Sequence, residues 1–395
     1  MNETRKETPI FPQEAEVVII GGGVVGSATA YFLAKENKNV VLLEKGYCAG
    51  EASGGNAAWV WSLTRKAGID LQLAMHSISI HEKLQAELEL DFEYRARGGL
   101  MIIDAENQVP FVKAHLDQRK KDGHPLEMID ANEVLEIEPM LNRDRILGGV
   151  WNPVDGTTNP ILLVASLNRE SEKLGVKIHH HTEVKGIDVS QGQVKSVTTD
   201  RGTIKTDCVV NAAGSWAGHI GKMVGITVPV SPFQMAMLVT EQVPRCLFHP
   251  IMGASYMVEE DTGKEGGLGS GLIASQQVSG NLLLGASWRD AGFDKRTIQE
   301  EIERIARVNI EAMPSLKDIR VIRSFANFFP HTPDDLPILG SVKGVEGFIM
   351  ASGHNGHGVC LGPGSGKLVA ELLCNGNTSV PMEKLKLERS ALSVE

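Results

Sequence analysis

The chain has 395 residues, more than one hydrophobic core of roughly 250–300 residues accommodates, so two domains are expected. Its 42% hydrophobic and 22% charged content exclude a disordered or collagen-like chain. The net charge of −10 argues against a nucleic-acid partner, which requires clustered Lys and Arg to neutralise phosphates.

Met1 to Glu14 is polar and lacks the apolar centre of a signal peptide. Glu16-Val-Val-Ile-Ile20 predicts a buried parallel strand. It runs into Gly21-Gly-Gly-Val-Val-Gly26 and then into a helical pattern through Ala28, Tyr31 and Phe32. Val17 to Ala34 is apolar, but four glycines interrupt it and Lys35 and Glu36 follow closely, so a membrane span is not expected. Asn39-Val-Val-Leu-Leu43 predicts a second strand that ends on Glu44. Together these make a βαβ unit with G-x-G-x-x-G at its first turn, a dinucleotide site. Gly21 permits the turn, Gly23 lets backbone approach a pyrophosphate, and Gly26 lets helix pack on strand. The helix N-terminus at Val24 and Val25 offers free N–H groups to phosphate. Glu44, followed by Lys45, is placed to accept from a ribose diol.

Glu51-Ala-Ser-Gly-Gly-Asn-Ala-Ala58 is a second run of small residues, where a nicotinamide dehydrogenase would begin another helix. Such a loop suits an extended cofactor with backbone N–H groups facing it. Trp59 and Trp61 follow directly, as core residues or as a wall of a substrate pocket. Further strands are predicted at Gly98–Ile103, Lys177–Val184, Thr206–Ala212, Gln234–Thr240 and Gly280–Gly285, and a helix over Lys295–Met313. His179, His180 and His181 are consecutive; on a strand their side chains alternate faces, so no shared metal ion is expected. Cys48, Cys208, Cys246, Cys360 and Cys374 form no C-x-x-C unit, which leaves no zinc or iron–sulfur ligand set and points to a reduced, cytoplasmic setting. Gly364-Ser-Gly-Lys-Leu368 lacks the Ser or Thr that a phosphate-binding P-loop needs after its lysine.

Five ordered motifs span nearly the whole chain: Val18–Gly26, Ala52-Ser-Gly-Gly-Asn56, Thr182-Glu-Val184, Val210-Asn-Ala-Ala-Gly-Ser-Trp216, and the pair Thr332–Gly340 with Ser352-Gly-His-Asn-Gly-His-Gly358. By these the chain resembles the D-amino-acid-oxidase-like FAD oxidoreductases. The resemblance implies an α/β fold, with a discontinuous Rossmann-type FAD-binding domain and an α+β substrate domain on a mainly antiparallel sheet. It assigns residues 15–95, 141–228 and 321–380 to the first, 96–140 and 229–320 to the second, and leaves 1–14 and 381–395 as loose tails. FAD contacts are implied for Ser53, Gly54, Gly55, Asn56, Ala57 and Ala58, for Val184, for Ala212, Ala213, Gly214 and Trp216, for Gly340, and for Gly353, His354, Asn355, Gly356, His357 and Gly358. A helix from about Gly364 to Leu373 would aim its N-terminus at the flavin. His354 and His357 are the candidate catalytic residues, and Trp59, Gln276 and His331 the candidate substrate residues.

Within that family the chain is most similar to the β subunits of heteromeric dehydrogenases of opines, D-hydroxyproline, proline or sarcosine. This implies a larger flavoprotein subunit and a small iron–sulfur component as partners, and hydride transfer from an amine to flavin N5. Glycine oxidases carry a substrate-binding arginine where this chain has Phe329, so a glycine-type reaction is disfavoured. Gly156-Thr-Thr-Asn-Pro160 has no histidine to tether an FMN; a non-covalent FMN shared with a partner stays open. A stand-alone oxidase, a 2-hydroxy-acid dehydrogenase and an electron-relay subunit also remain open. The glycine-rich stretch from Tyr256 to Gly271 reads as an insertion, either lid or subunit contact.

Overall fold

The computed structural model describes residues 11–261, 268–389 and 392. Val17–Ile20 and Val40–Leu43 are short runs of Val, Ile and Leu, buried at every position as strands covered on both faces must be. They lie in the middle of a six-stranded sheet ordered Ile338–Ser341, Phe348–Ser352, Val209–Asn211, Val17–Ile20, Val40–Leu43, Lys177–His179. Its strands are parallel except the first.

The phosphate-loop helix Val24–Lys35 packs against the C-terminal helix Gly358–Asn375. Glycines allow close approach here: a Cβ on Gly366 would stand 2.6 Å from the backbone N of Thr29, and one on Gly362 2.3 Å from Val24 Cγ1. The C-terminal helix starts at Gly358 and continues through Pro363, earlier than the start at Gly364 expected from sequence. A proline breaks the helix ladder around it. Here helix Ile69–Glu87 restores the lost bonds. Ser77 Oγ donates to Cys360 O at 2.6 Å and accepts from Gly364 N at 2.9 Å. His81 Nε2 reaches Val359 O at 3.1 Å and Cys360 O at 3.2 Å. Both acceptors are carbonyls, so Nε2 carries the proton. Burial holds the ring neutral, pushing its pKa down to about 4.

The second sheet has eight strands, in the order Val321–His331, Ser231–Gln242, Asn281–Arg289, Gly269–Gln276, Ile251–Gly253, Gly99–Ile103, Gly148–Asn152, Glu127–Ile129. All neighbours pair antiparallel except Ile251–Gly253 with Gly99–Ile103. Gly148–Asn152 and Val321–His331 thus hydrogen-bond into this sheet, although the sequence reading grouped 141–228 and 321–380 with the nucleotide-binding segments. Helix Gln299–Ala312 covers one face through Ile305 and Asn309.

Two further expectations are corrected. Lys177–Val184 is not one strand: Lys177–His179 joins the six-stranded sheet, the chain turns at His181 with φ 48°, and Val184–Ser190 starts a separate three-stranded antiparallel sheet. The three histidines are parted by that turn. His179 lies against Phe11, His181 against Tyr47, and His180 Nδ1 accepts from Cys48 N. Nor do the described ends hang loose. Glu14 bridges to Lys205, and Arg389, nearly buried, donates to Asp334 at 2.6 and 2.8 Å and to the carbonyls of Leu336, Pro337 and Leu385.

Candidate active site

One elongated cavity of about 400 Å³ is lined from both large sheets. At one end the first turn behaves as the glycine spacing requires. Gly21 has φ +112°, and a Cβ there would stand 2.4 Å from Ala212 O; one on Gly26 would stand 2.0 Å from Gly21 O. Gly21, Gly23, Val24 and Val25 line the cavity, and Gly26 stands behind them, holding helix to turn. Glu44 is fixed by backbone donors: Oε2 accepts from Gly22 N at 2.8 Å, Oε1 from Gly46 N at 2.7 Å. Lys45 Nζ lies over the Trp216 ring, 3.1 Å from its centroid, and burial lowers its pKa. Val184, Ala212, Ala213, Gly214 and Trp216 complete this end.

The small-residue loop lies alongside. Asn56 shapes it: Nδ2 donates to Ala52 O and Ser53 O, both at 2.8 Å, and Oδ1 accepts from Ala58 N at 2.7 Å. Ser53 Oγ accepts from Val24 N at 3.0 Å, tying the loop to the helix N-terminus. Ser53, Gly55, Asn56 and Ala57 line the cavity; Gly54 and Ala58 do not. Gly54 is packed instead, since its Cβ would lie 2.1 Å from Ala49 O.

At the far end stands the glycine–histidine loop. Asn355, at φ 50°, is its keystone: Oδ1 accepts from Thr332 N at 3.0 Å and from His331 Nδ1 at 3.1 Å, while Nδ2 donates to Thr332 Oγ1 and Gly353 O. His354, Asn355, Gly356, His357 and Gly358 line the cavity. His354 is buried with Nε2 on Ser365 Oγ at 2.9 Å, and burial pushes its pKa down to about 4. His357 is pushed well below its ordinary value by burial and by the neighbouring guanidinium of Arg65, which donates to its Nε2. Cys360 also borders the cavity, but burial pushes its thiol up to about 12, so no thiolate is available.

Four residues expected from sequence stand elsewhere. Gly353 sits behind the loop against Thr332, and Gly340 lies in strand Ile338–Ser341 near Met382. His331 lies outside the cavity lining and is spent on Asn355. Gln276 lies outside the main cavity lining, and its side chain is engaged: Oε1 accepts from Cys246 N and Leu247 N, and Nε2 donates to Val243, Pro244 and Gly280 carbonyls. It staples a loop beside a small separate pocket lined by Arg95, Arg97 and Arg245. Trp59 does line the main cavity, with Trp61 4.8 Å away. Met235, Met252, Tyr256, Ile273 and Phe329 join them. Met235 lies in a predicted strand, but which residues of that strand meet the cavity depends on pairing across the sheet. Of the 256–271 stretch, Tyr256 is at the cavity and packs on Trp288, whereas 262–267 lie outside the described residues.

Backbone donors at a helix N-terminus, glycines with no space for a side chain, a fixed carboxylate and a cavity reaching from Glu44 to His357 fit FAD and define a Rossmann-type flavoprotein. The chain belongs to the FAD dependent oxidoreductase (DAO) family, whose model matches residues 16–372, and FAD is its cofactor. It is similar to mitochondrial dimethylglycine dehydrogenase of Rattus norvegicus, 29% identical over 98% of this chain but only 46% of that protein, so it spans under half the length of this relative. It is 26% identical to glycine oxidase of Geobacillus kaustophilus over 95% of this chain and 97% of that protein. The crystal structure of L-proline dehydrogenase from P. horikoshii superposes with a TM-score of 0.86 at 25% identity, covering 95% of this chain and 98% of that one. Among the described residues no helix is long and apolar enough to cross a membrane.

Proposed function

We propose that this chain oxidises a secondary amine, an opine or cyclic amino acid among them, and that it does so as the catalytic β subunit of a heteromeric dehydrogenase. The observation that carries the reading is the far half of the cavity. Trp59, Trp61, Met235, Met252, Ile273 and Phe329 form an apolar wall beside two neutral histidines. Among the described lining residues, Lys45 is the one Lys or Arg, and it belongs to the nucleotide end. An amino-acid carboxylate at this end would therefore be held by hydrogen-bond donors rather than by a direct cation among the described lining residues, and the apolar wall would take the substituents on nitrogen.

Bound FAD supplies the hydride acceptor. The protein does the rest. The apolar wall excludes water and disfavours an ammonium, so the amine binds with its lone pair free. Trp59, Trp61 and Phe329 restrict its orientation. Neither His354 nor His357 removes a proton: His354 is spent on Ser365, and Nε2 of His357 is occupied by Arg65. With FAD bound, hydride would pass to it from the carbon next to nitrogen while the nitrogen lone pair closes to an iminium, which water would hydrolyse. The relatives fit this chemistry by name: dimethylglycine, sarcosine and proline dehydrogenases all take substituted amines.

The test is anaerobic flavin bleaching of the purified, FAD-loaded chain with N-methyl amino acids, cyclic imino acids, opines and 2-hydroxyglutarate, followed by a peroxide assay in air. Bleaching by secondary amines with little peroxide supports the reading. Bleaching by 2-hydroxyglutarate alone overturns the substrate class. Vigorous peroxide formation overturns the dehydrogenase-subunit assignment, and recovery of an untagged larger flavoprotein on co-purification supports it.

A further inference from the structure

Arg65 is one of the most deeply buried charges in the molecule, 5% exposed, and it had no sequence signal. It follows strand Trp59–Val60 and is anchored from below. Asp155, fully buried, accepts from Ser62 N, Ser62 Oγ and Leu63 N at 2.7 to 3.0 Å. Arg119, 2% exposed, donates to Ser62 O and Leu63 O, and His115 Nε2 to Leu63 O. The segment that presents Trp59, Trp61 and Arg65 is therefore held by buried polar groups on both sides. Arg65 itself pairs with Asp70, 5% exposed, at 3.4 Å, and its other terminal nitrogen donates to Nε2 of His357.

A guanidinium has donors and no acceptor. Nε2 of His357 must therefore be the acceptor, which places the ring's proton on Nδ1. We infer that Arg65 is a positioning residue that locks His357 as the neutral Nδ1–H tautomer, giving the cavity a fixed hydrogen-bond donor that neither titrates nor acts as a base. The unit Asp70–Arg65–His357 then carries no net charge. A protonated His357 would oppose the positive charge that develops on an amine as hydride leaves, and this arrangement prevents it. The inference rests on the amine-oxidation reading for its purpose but not for its geometry.

The groups around His357 agree. Arg65 and Asp70 face it from the Trp59–Val60 and Ile69–Glu87 side. His354 and Cys360, on its own segment, are held neutral by burial. Asp155 lies farther back, its carboxylate pushed up to about 6 by burial and spent on Ser62 and Leu63, and His331 is engaged by Asn355. The Asp70 carboxylate is spent on Arg65 and Lys66 N, as that of Asp155 is on Ser62 and Leu63, so neither is offered to His357 to hold a second proton.

The experiment is nitrogen NMR of the FAD-loaded protein labelled with ¹⁵N-histidine, the His357 signals identified by their loss in His357→Asn. In the native protein they should report the Nδ1–H tautomer, unchanged between pH 5.5 and 8.5. Arg65→Lys should retain that tautomer, since a donor remains. The charge-balanced pair Arg65→Met with Asp70→Asn, which removes the donor, should free Nε2, so that the His357 signals report a mixture of the two neutral tautomers; burial remains, so the ring should still stay neutral near pH 7. The same variant should slow amine-driven flavin reduction more than Arg65→Lys does. An Nε2–H or doubly protonated His357 in the native protein at pH 7 overturns the inference, as does a double variant whose His357 signals match the native ones. If no amine reduces the flavin, the NMR result still decides the tautomer, so failure of the functional reading is distinguishable.

Discussion

Replacing Asn355 by alanine should loosen the whole far end of the site. The side chain makes four hydrogen bonds, to Thr332 N, Thr332 Oγ1, Gly353 O and His331 Nδ1, and it is 6% exposed. Its loss leaves the buried Thr332 N–H without an acceptor, which costs about 1–3 kcal/mol. Asn355 also holds φ 50°, a left-handed conformation that asparagine tolerates and alanine resists by about 1 kcal/mol. The sum is about 2–4 kcal/mol, concentrated on residues 353–358. Because this loop lines the cavity, part of that energy should appear as weaker FAD retention as well as a lower denaturation midpoint. Dissociation of FAD during gel filtration, followed by flavin fluorescence, and guanidinium unfolding measure the two. Asn355→Asp, which keeps the acceptor and tolerates the same φ, should recover more than half of both losses. An alanine variant with native midpoint and native FAD retention would refute the keystone role.

Three other outcomes follow from the same geometry. Glu44→Ala should raise the FAD dissociation constant by about 10–100-fold, the worth of a charge-assisted hydrogen bond of about 1.5–3 kcal/mol, with little change in flavin reduction once saturated; fluorescence titration reads it, and an unchanged constant would show that the carboxylate only braces Gly22 and Gly46. Arg389→Ala should destabilise the fold by about 1–3 kcal/mol at pH 7, because the partly buried Asp334 loses its charge-assisted hydrogen bonds. Burial pushes the Asp334 carboxyl up, but hydrogen bonds and charge from Arg389 outweigh it and hold the pKa below the ordinary 3.8. That stability is present above 3.8 and fades as pH falls through the depressed value, so the gap between native and variant midpoints should narrow below pH 4; a gap independent of pH contradicts the ion pair. Ser77→Ala should lower the unfolding free energy by about 1–3 kcal/mol, read from guanidinium unfolding, since Gly364 N loses its acceptor at the proline; Ser77→Thr should be milder.

The nucleotide end was legible because its determinants are local. A strand, a tight turn and a helix N-terminus within 30 residues write glycines and an acid at fixed spacing, and the structure gathers Gly21, Gly23 and Glu44 at one end of the cavity with Gly26 packed behind them. The far end was not legible by the same logic. Arg65 meets His357 across 292 positions of sequence, and nothing in Thr64-Arg65-Lys66 marks it as buried. The place of Gln276 was hidden for the converse reason: a polar side chain in a strand looks available until the loop it staples is seen. Strand pairing decides which faces of Ser231–Gln242 and Gly269–Gln276 meet the cavity, so Met235 and Ile273 emerge only with the register. The C-terminal helix was read too short because a proline stops a helix unless another element repairs it, and that repair comes from Ser77 and His81, far upstream.

That repair sets an order on how this sequence can change. Ser77 and His81 are needed because Pro363 leaves carbonyls at Val359 and Cys360 unbonded. With Pro363 replaced first, the helix closes its own ladder and either partner can later be lost cheaply. With Ser77 lost first, the chain must pass through a form with an unpaired Gly364 N–H, and with His81 lost first through one with an unpaired Val359 carbonyl at the cavity wall. The three positions therefore form a ratchet, open in one order of substitution and nearly closed in the other.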